Sequence, residues 1–546
     1  MNLAHEIAQI DPRQTSPTTL SALFIRWIAH AEKEALQAQH NEQYITQQRI
    51  ALQNKETHIA ALSDELKARN EASRRDAQKI AALTHELAWH KRLKFAAKSE
   101  AFNAQQRDLF DECCTADVEA METELEQLTS AAVSTKKKPT GRKPLPSDLP
   151  RIEYRHEPAL CSCGECGQDL VKIGEDITEQ LDVEPARFTV HRHIRPQYAC
   201  RQCETMHAAP IPPAVIDGGL ATPGLLSWVT TQKYLDHLPL YRIEQISARY
   251  GVPIARSTLA QWIGKIGVAL QPLADRLAEL LKERRILHAD ETPVPQLDPG
   301  EGKTKRAYLW AYRSNELEGG PPIVVFEFQP GRHGRHAREF LSGWQGHLMV
   351  DDYAGYKQLF EQGITELACF AHARRKFFDL HAAHQHPVAG EALQRIGELY
   401  HLEQQARDWD GEARARWRAQ HAQPRLEALH GWLLQIRKTT ADGGALARAI
   451  DYSLKRWPAL VRYAASGHLP IDNNPVENAI RPIALGKKNW LFAGSERAGR
   501  RAAAIQTLLA TAKANDIDPD AWLRETLEQL PACPNSQIDS LLPLRY

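Results

Sequence analysis

The sequence predicts a multidomain α+β protein, and three observations carry that prediction. Residues 20 to about 112 are almost free of Pro and Gly and rich in Ala, Gln, Glu, Lys and Arg, which reads as long helix. After Arg285 the pattern changes to short apolar, β-rich runs: RRILHADETP, RAYLWAYRS, PPIVVFEFQ, GHLMVDDYAGY and ELACFAH. At 546 residues the chain exceeds the roughly 250 to 300 that one core sustains, so three or four units are expected.

The first unit, 1–128, carries Ile45, Leu52, Ile59, Leu66, Ile80 and Leu87 at multiples of seven, with Ser73 the one polar interruption. Leu62 and Leu83 strengthen the companion seam, whereas Lys55, Arg69 and Asp76 weaken it. A long, imperfect coiled coil or helical hairpin is expected, with a solvated single helix as the plainer alternative. Residues 129–155 then combine Lys136, Lys137, Lys138, Arg142 and Lys143 with several prolines. That composition makes a linker, serving either as a solvated spacer or as a basic arm lying on phosphates.

Nine cysteines are too few and too clustered for a disulfide scaffold, and five of them lie between Cys161 and Cys203. In the unit 156–215, Cys163 and Cys166 form one CxxC pair and Cys200 and Cys203 a second, enough thiolates for a tetrahedral zinc. Cys161 competes as a ligand. Four protein ligands leave no open position, so such a zinc-ribbon-like knuckle is structural. Residues 216–280 read as helices, and the Gly251 turn followed by a Ser257 or Thr258 cap resembles a helix-turn-helix; a plain helical connector fits as well.

Lys plus Arg equals Asp plus Glu at 68 each, so any nucleic-acid surface must be local. The amino terminus lacks a basic-then-apolar leader, and no stretch approaches the roughly 20 apolar residues that span a bilayer. A cytoplasmic protein with no membrane contact is expected.

Chemistry points to residues 281–500. Two β-rich runs end in acid, at Asp290 and at Asp351, and a carboxylate at a strand end points off the sheet edge where ligands meet. Two such groups plus one from a helix suit two Mg²⁺ ions, which prefer oxygen ligands. For any single Asp, a solvated turn residue is the plainer role. In DNNPVENAIRP, Asn474 suits a helix N-cap, Pro475 the first helical position and Glu477 a capping-box glutamate. Helical patterning over about 380–465 separates the fifth strand from that helix as an insertion, and 501–546 reads as a C-terminal helical region.

The ordered motifs ADETP, VDDYAGY, ACFAHARRKF, DNNPVENAIRP, GKKNWLF and TLLATAKANDIDPDAWLRETL, with the CxxC pairs and the zipper-like amino terminus, resemble transposases of the IS66 insertion-sequence family. The resemblance covers nearly the whole chain. It implies an RNase H-like DDE catalytic domain with Asp290, Asp351 and Glu477 binding two Mg²⁺ or Mn²⁺ ions. Asp352 stands where the family has glycine, and Glu291 and Asp472 are neighbouring acids given secondary roles. It further implies terminal inverted repeats and target DNA as partners, a homodimer or larger assembly, accessory proteins of the same element, and nucleoid association when bound to DNA. A silent DNA-binding derivative and a metal-dependent nuclease without strand transfer are the alternatives.

Cys369 and His372 form a CxxH like that found after the second aspartate in several DDE groups; packing and hydrogen bonding beside the site is the expectation adopted for them, with a zinc pair as the alternative. Arg374, Arg375, Lys487, Lys488 and Trp490 combine charge with an aromatic, as a surface gripping phosphates and an unpaired base does. Their plainer role is an ordinary basic face, with Arg481 pairing to Glu477.

Overall fold

The computed structural model describes residues 16–96, 116–125, 145, 147, 149–157, 171–184, 187–210, 212–298 and 303–546. The chain divides into two units, 1–83 and 84–546. Helix α1, Pro17–Ala96, runs without a break through 80 residues, so no hairpin turn falls inside it. In the first unit, Leu62 and Leu66 of the expected seam are exposed.

The second unit opens with helix α2, residues 116–125. Its Asp117 is fully buried and ion-paired with the buried Arg501 at 2.9 Å, while Glu119 meets Lys265 at 3.1 Å and Glu124 meets Arg497 at 2.7 Å. A small sheet follows from β1 (Arg151–Arg155), β2 (Val171–Glu184), β3 (Arg187–Ala199) and β4 (Met206–Ala208). β3 is central: β1 joins it in parallel, and β2 and β4 antiparallel.

Helices α3 (Pro223–Tyr234), α4 (Leu240–Arg249) and α5 (Arg256–Lys282) come next. α5 starts before the Ser257 or Thr258 cap expected from sequence. Glu244 of α4 accepts a hydrogen bond from the Arg256 N–H at 3.0 Å, so the cap comes from the preceding helix and no side chain at the helix start is needed. Gly251, at φ +80°, makes the turn between them, as the sequence indicates. Leu259, Trp262, Ile263, Ile266 and Leu270 commit most of α5 to the core.

All five β-rich runs form one sheet: β5 (Ile286–Asp298), β6 (Lys303–Ser314), β7 (Val324–Gln329), β8 (His347–Val350) and β9 (Thr365–Ala368). Its order is β7-β6-β5-β8-β9, antiparallel on the β6 side and parallel on the β8 side. The short helices α6 (Arg335–Phe340) and α7 (Lys357–Glu361) flank β8. After β9 come α8 (Phe370–His384), α9 (Pro387–Gln405), α10 (Gly411–Trp417), α11 (Gln423–Thr439), α12 (Ala445–Lys455) and α13 (Trp457–Val461). All of these but α10 share a core with Met349 and Leu367 of the sheet.

The chain then returns to the sheet as α14 (Asn474–Trp490), α15 (Glu496–Ala514) and α16 (Pro519–Gln529). Val476, Ile480 and Ile483, at spacings of four and three, put one apolar stripe of α14 on Val294, Leu309, Phe326 and Phe328. α15 covers the edge strand β7, where Thr507 and Thr511 hydroxyls accept from the Phe326 and Val324 N–H groups. Among the described residues no helix is long and apolar enough to cross a membrane.

The loop between β7 and α6 is locked to the turn after β8. A Cβ on Gly334 would lie 2.2 Å from the Gly355 carbonyl oxygen, so these backbones touch only because position 334 is glycine. Gly334 has φ −59°, which alanine tolerates, so Gly334→Ala isolates the steric effect. It is expected to destabilise the protein by about 1–3 kcal/mol in urea unfolding, through displacement of one loop from the other.

Candidate active site

β5 continues past Asp290 to Asp298 because β6 pairs with it over that whole length, so Asp290 lies inside a strand and not at its end as the sequence suggests. Its parallel pairing with β8 stops at His288 and Met349. Asp290 therefore follows the last parallel pair by two residues, and Asp351 follows β8 directly. The two carboxylates reach the same edge by different routes.

Glu477 arrives on the first turn of α14, and here the local cap is not the one expected. The helix starts at Asn474, with Asn473 in the cap position and no side-chain cap bond. Asn474 instead bonds Asp472, through its N–H at 3.1 Å and its amide at 2.8 Å. The fully buried Asn473 faces β5: its Oδ1 lies 3.0 Å from His288 Nδ1, and its Nδ2 donates to the Ala289 carbonyl at 2.9 Å. Burial pushes the His288 imidazole down to about 4. A neutral ring remains, one of whose nitrogens can donate to Asn473. Asn473 is the positioning residue that sequence reasoning missed; its signal was the Asn doublet before Pro475.

The acids differ in their surroundings. Asp290 is pushed up to about 8, by burial first and then by the nearby Glu291 and Asp351, with Glu477 adding to the effect. Asp351 accepts from the Tyr353 N–H at 2.8 Å, which aims one oxygen back into its own turn. Glu291, with a fully buried side chain, is held by the Arg332 Nε at 2.7 Å and by the Tyr356 hydroxyl at 2.7 Å. Burial still raises its pKa. Both Glu291 oxygens are occupied by protein donors, which fits a supporting role. Asp352 turns away, exposed and 3.7 Å from the buried Arg456. Asp472 also has a raised pKa, from burial first.

Arg332 is a second residue that the sequence did not reveal. Its guanidinium lies 3.9 Å from the Tyr353 ring centroid, its carbonyl accepts from the Tyr353 hydroxyl, and the side chain is 43% exposed at the rim. A loop arginine has no periodicity to mark it.

The remaining expected residues fall into three groups. Arg375 lies 3.9 Å from Glu477 Oε2, and His372 Nδ1 lies 3.6 Å from Glu477 Oε1; Arg481 is not among the ion partners of Glu477 in the described residues. Arg374 packs over Phe378, Lys488 is exposed, Lys487 donates to the Pro293 carbonyl at 3.0 Å, and Trp490 lines an apolar cavity of about 80 Å³. Cys369, the buried residue before α8, accepts from the Asn473 N–H at 3.2 Å, and burial pushes its thiol up to about 12. In the small sheet, Cys200 and Cys203 flank the turn after β3, where Cys200 N–H donates to the Thr205 carbonyl and Cys203 Sγ lies 3.1 Å from the Thr205 hydroxyl. Cys163, Cys166, Cys161, Lys136, Lys137, Lys138, Arg142 and Lys143 lie outside the described residues.

Comparisons with known proteins agree along the chain. The profile described as transposase IS66 family matches residues 218–501, and the zinc-finger binding domain of transposase IS66 matches 161–204. Profiles described as transposase C of IS166 homeodomain and IS66 C-terminal element match 82–153 and 507–544. The uncharacterized protein y4qI of Sinorhizobium fredii (strain NBRC 101917 / NGR234) is 38% identical over 511 residues, 90% of this chain and 94% of that protein. From the same organism, the uncharacterized protein y4jD is 36% identical over 415 residues, 74% and 81% of the two chains. The uncharacterized protein y4hP is 33% identical over 493, covering 86% and 88%.

Asn473→Ala is expected to cost about 2–4 kcal/mol in chemical denaturation, because it leaves His288 and the Ala289 carbonyl buried without their partner. A pH effect follows from Asp290. Its folded pKa is raised, so folded protein binds the extra proton between about 4 and about 8, and metal-free stability falls as pH rises through that window. Asp290→Asn removes the penalty, so its melting temperature is expected to exceed that of the metal-free parent by more at pH 8 than at pH 5.

Proposed function

The chain belongs to the IS66 transposase family, and from that premise we propose that it is a DDE-type DNA transposase acting through Asp290, Asp351 and Glu477. The observation that carries the proposal is the electrostatic coupling of Asp290 to both other carboxylates at one sheet edge. The strand order, three antiparallel strands followed by two parallel ones, supports an RNase H-like catalytic domain. The matched zinc-finger region supports a structural zinc, for which Cys163, Cys166, Cys200 and Cys203 are the proposed ligands.

The carboxylates fit two hard divalent cations, Mg²⁺ or Mn²⁺. An all-oxygen donor set suits such ions, and Asp290, crowded by like charge and poorly solvated, gains most from a neutralising cation. When bound, the ions supply Lewis acidity that activates the attacking oxygen and stabilises the leaving one. The chain's own residues set the geometry. Asn473 fixes where α14 begins and so where Glu477 enters; Tyr353 holds Asp351; Arg332, tied to Glu291, keeps a positive charge at the rim.

The reaction proposed is hydrolysis of the phosphodiester at the element end, which frees a 3′ hydroxyl, followed by attack of that hydroxyl on a target phosphodiester. Arg374, Arg375, Lys487, Lys488 and Trp490 on α8 and α14 would hold the strand. The basic linker, with Lys136, Lys137, Lys138, Arg142 and Lys143, together with the zinc region and α4–α5, would bind terminal inverted repeats. Pairing of two ends calls for a homodimer or larger assembly, for which the heptads of α1 provide a coiled-coil seam. Accessory proteins of the same element fit the same scheme.

A strand-transfer assay on inverted-repeat ends, with Mg²⁺, Mn²⁺ and metal-free arms, tests this reading. Asp290→Asn, Asp351→Asn and Glu477→Gln are each expected to lower cleavage by at least about 100-fold, with folding unchanged by circular dichroism. Asp352→Asn is expected to reduce it far less. Retained cleavage in any of the three variants rejects the assignment of that residue, and cleavage without strand transfer identifies a nuclease.

A further inference from the structure

The donor atoms of Cys369, His372 and Glu477 all lie within 4.8 Å of one another, and the chemistry above uses only Glu477 of the three. Two helix starts bring it together. Cys369 stands in the N-cap position of α8, His372 lies on that helix's first turn, and Glu477 lies on the first turn of α14. Asn473 clamps the two helix starts to each other: its N–H donates to Cys369 Sγ, while the Phe370 N–H donates to the Ile471 carbonyl at 3.1 Å.

Two atoms of the cluster have unmet polar needs. His372 Nδ1 and Glu477 Oε1 are both buried without a hydrogen-bond partner, yet they face each other at 3.6 Å. That separation is too long for a hydrogen bond. It is close to the spacing of two ligands on one ion, since metal–nitrogen and metal–oxygen bonds near 2 Å at tetrahedral angles put the ligand atoms somewhat over 3 Å apart. Simple packing of a Cys and a His explains neither orphaned atom.

We propose that Cys369 Sγ, His372 Nδ1 and Glu477 Oε1 form a binding site for a soft divalent cation of the zinc class, separate from the cysteine knuckle. The donor set decides the class: thiolate and imidazole select zinc-like ions, whereas Mg²⁺ takes oxygen ligands and keeps its waters. Three protein ligands leave one coordination position open. The site rests on the catalytic reading only in that Glu477 is shared. An ion on Oε1 holds Glu477 toward α8, whereas the proposed catalytic role needs the same carboxylate at Asp290 and Asp351. Zinc-class ions and Mg²⁺ are therefore set in competition for Glu477.

Binding is tested on the full chain, first loaded with zinc so that the knuckle is filled, then dialysed against a chelator until zinc analysis finds one zinc per chain, the four-thiolate knuckle holding its ion more tightly than a three-ligand site, and titrated with Co²⁺. Wild type is expected to show a sulfur-to-cobalt charge-transfer band. Cys369→Ser is expected to abolish the band, and the more accessible His372→Ala to weaken Co²⁺ binding by at least about 100-fold, with helix content unchanged by circular dichroism. No band in wild type, or an unaltered titration in a folded His372→Ala protein, overturns the proposal. The titration reads no DNA cleavage, so its result stands apart from that of the strand-transfer assay. Where cleavage is observed, added Zn²⁺ is expected to inhibit wild type and spare His372→Ala relative to its own uninhibited rate.

Discussion

Everything at the candidate site depends on how α14 lies along β5. The two segments are 185 positions apart at the His288–Asn473 contact, and the strand holds the helix at both ends. At the start, Asn473 reads the Ala289 carbonyl one residue before Asp290. Near the end, Lys487 bonds the Pro293 carbonyl, and Ala493 exchanges backbone hydrogen bonds with Pro295 and Leu297. Between them, Val476, Ile480 and Ile483 bury against the sheet, which leaves Glu477, one residue round the helix from Val476, off that stripe, 3.6 Å from His372 and 3.9 Å from Arg375 of α8. A tie made only at the start would leave the helix free to swing, and a tie made only by apolar packing would not fix its register. Both together set the position of a carboxylate that local capping does not.

This attachment collects negative charge where water is scarce. Glu291 is answered by Arg332 and Tyr356, and Asp352 by Arg456; among the described residues Asp290 has no such cation, and its neighbours raise its pKa further. The fold thus supplies counter-charges to the acids at the periphery and withholds one from the centre. Repulsion among crowded carboxylates costs stability in the metal-free chain, and a bound cation is the physical means of relieving it. The basic groups on α8 and α14 are proposed to have a different task, meeting a polyanion, although Arg375 also lies 3.9 Å from Glu477.

Much of this was legible before the structure. The five strands announce themselves because each is a short β-branched or aromatic run bounded by polar residues, and the α+β reading follows from their contrast with the helical segments around them. The apolar stripe of α14 is likewise visible at helical spacing. What the sequence conceals is what depends on partners distant in the chain. β5 outruns Asp290 because its partner β6 is long, and α5 starts early because Glu244 caps it from α4. Asn474 looks like the better cap on local grounds, yet Asn473 occupies the position, since its amide is needed by β5. Arg332 is invisible for the same reason: its importance lies in Glu291 and Tyr353, neither of which is near it in sequence.

The pair Asp351–Asp352 shows how the helical segment between β9 and α14 enters the chemistry. Two adjacent aspartates after a strand are equivalent by composition, and a strand's alternation only says that they point to opposite sides. The choice is made elsewhere. Arg456, at the end of α12, is buried and already bonded to Glu366 of β9 at 2.6 Å; its other terminal nitrogen reaches Asp352. Arg462 bonds the Glu366 carbonyl as well, so this corner of the inserted helices is fastened to the sheet independently of Asp352. A cation fixed on that side engages Asp352 and leaves Asp351, held by the Tyr353 N–H, as the one of the two whose charge raises the pKa of Asp290. The inserted helices therefore do more than lengthen the chain between two carboxylates: they carry the charge that separates the aspartate proposed as a metal ligand from the one beside it.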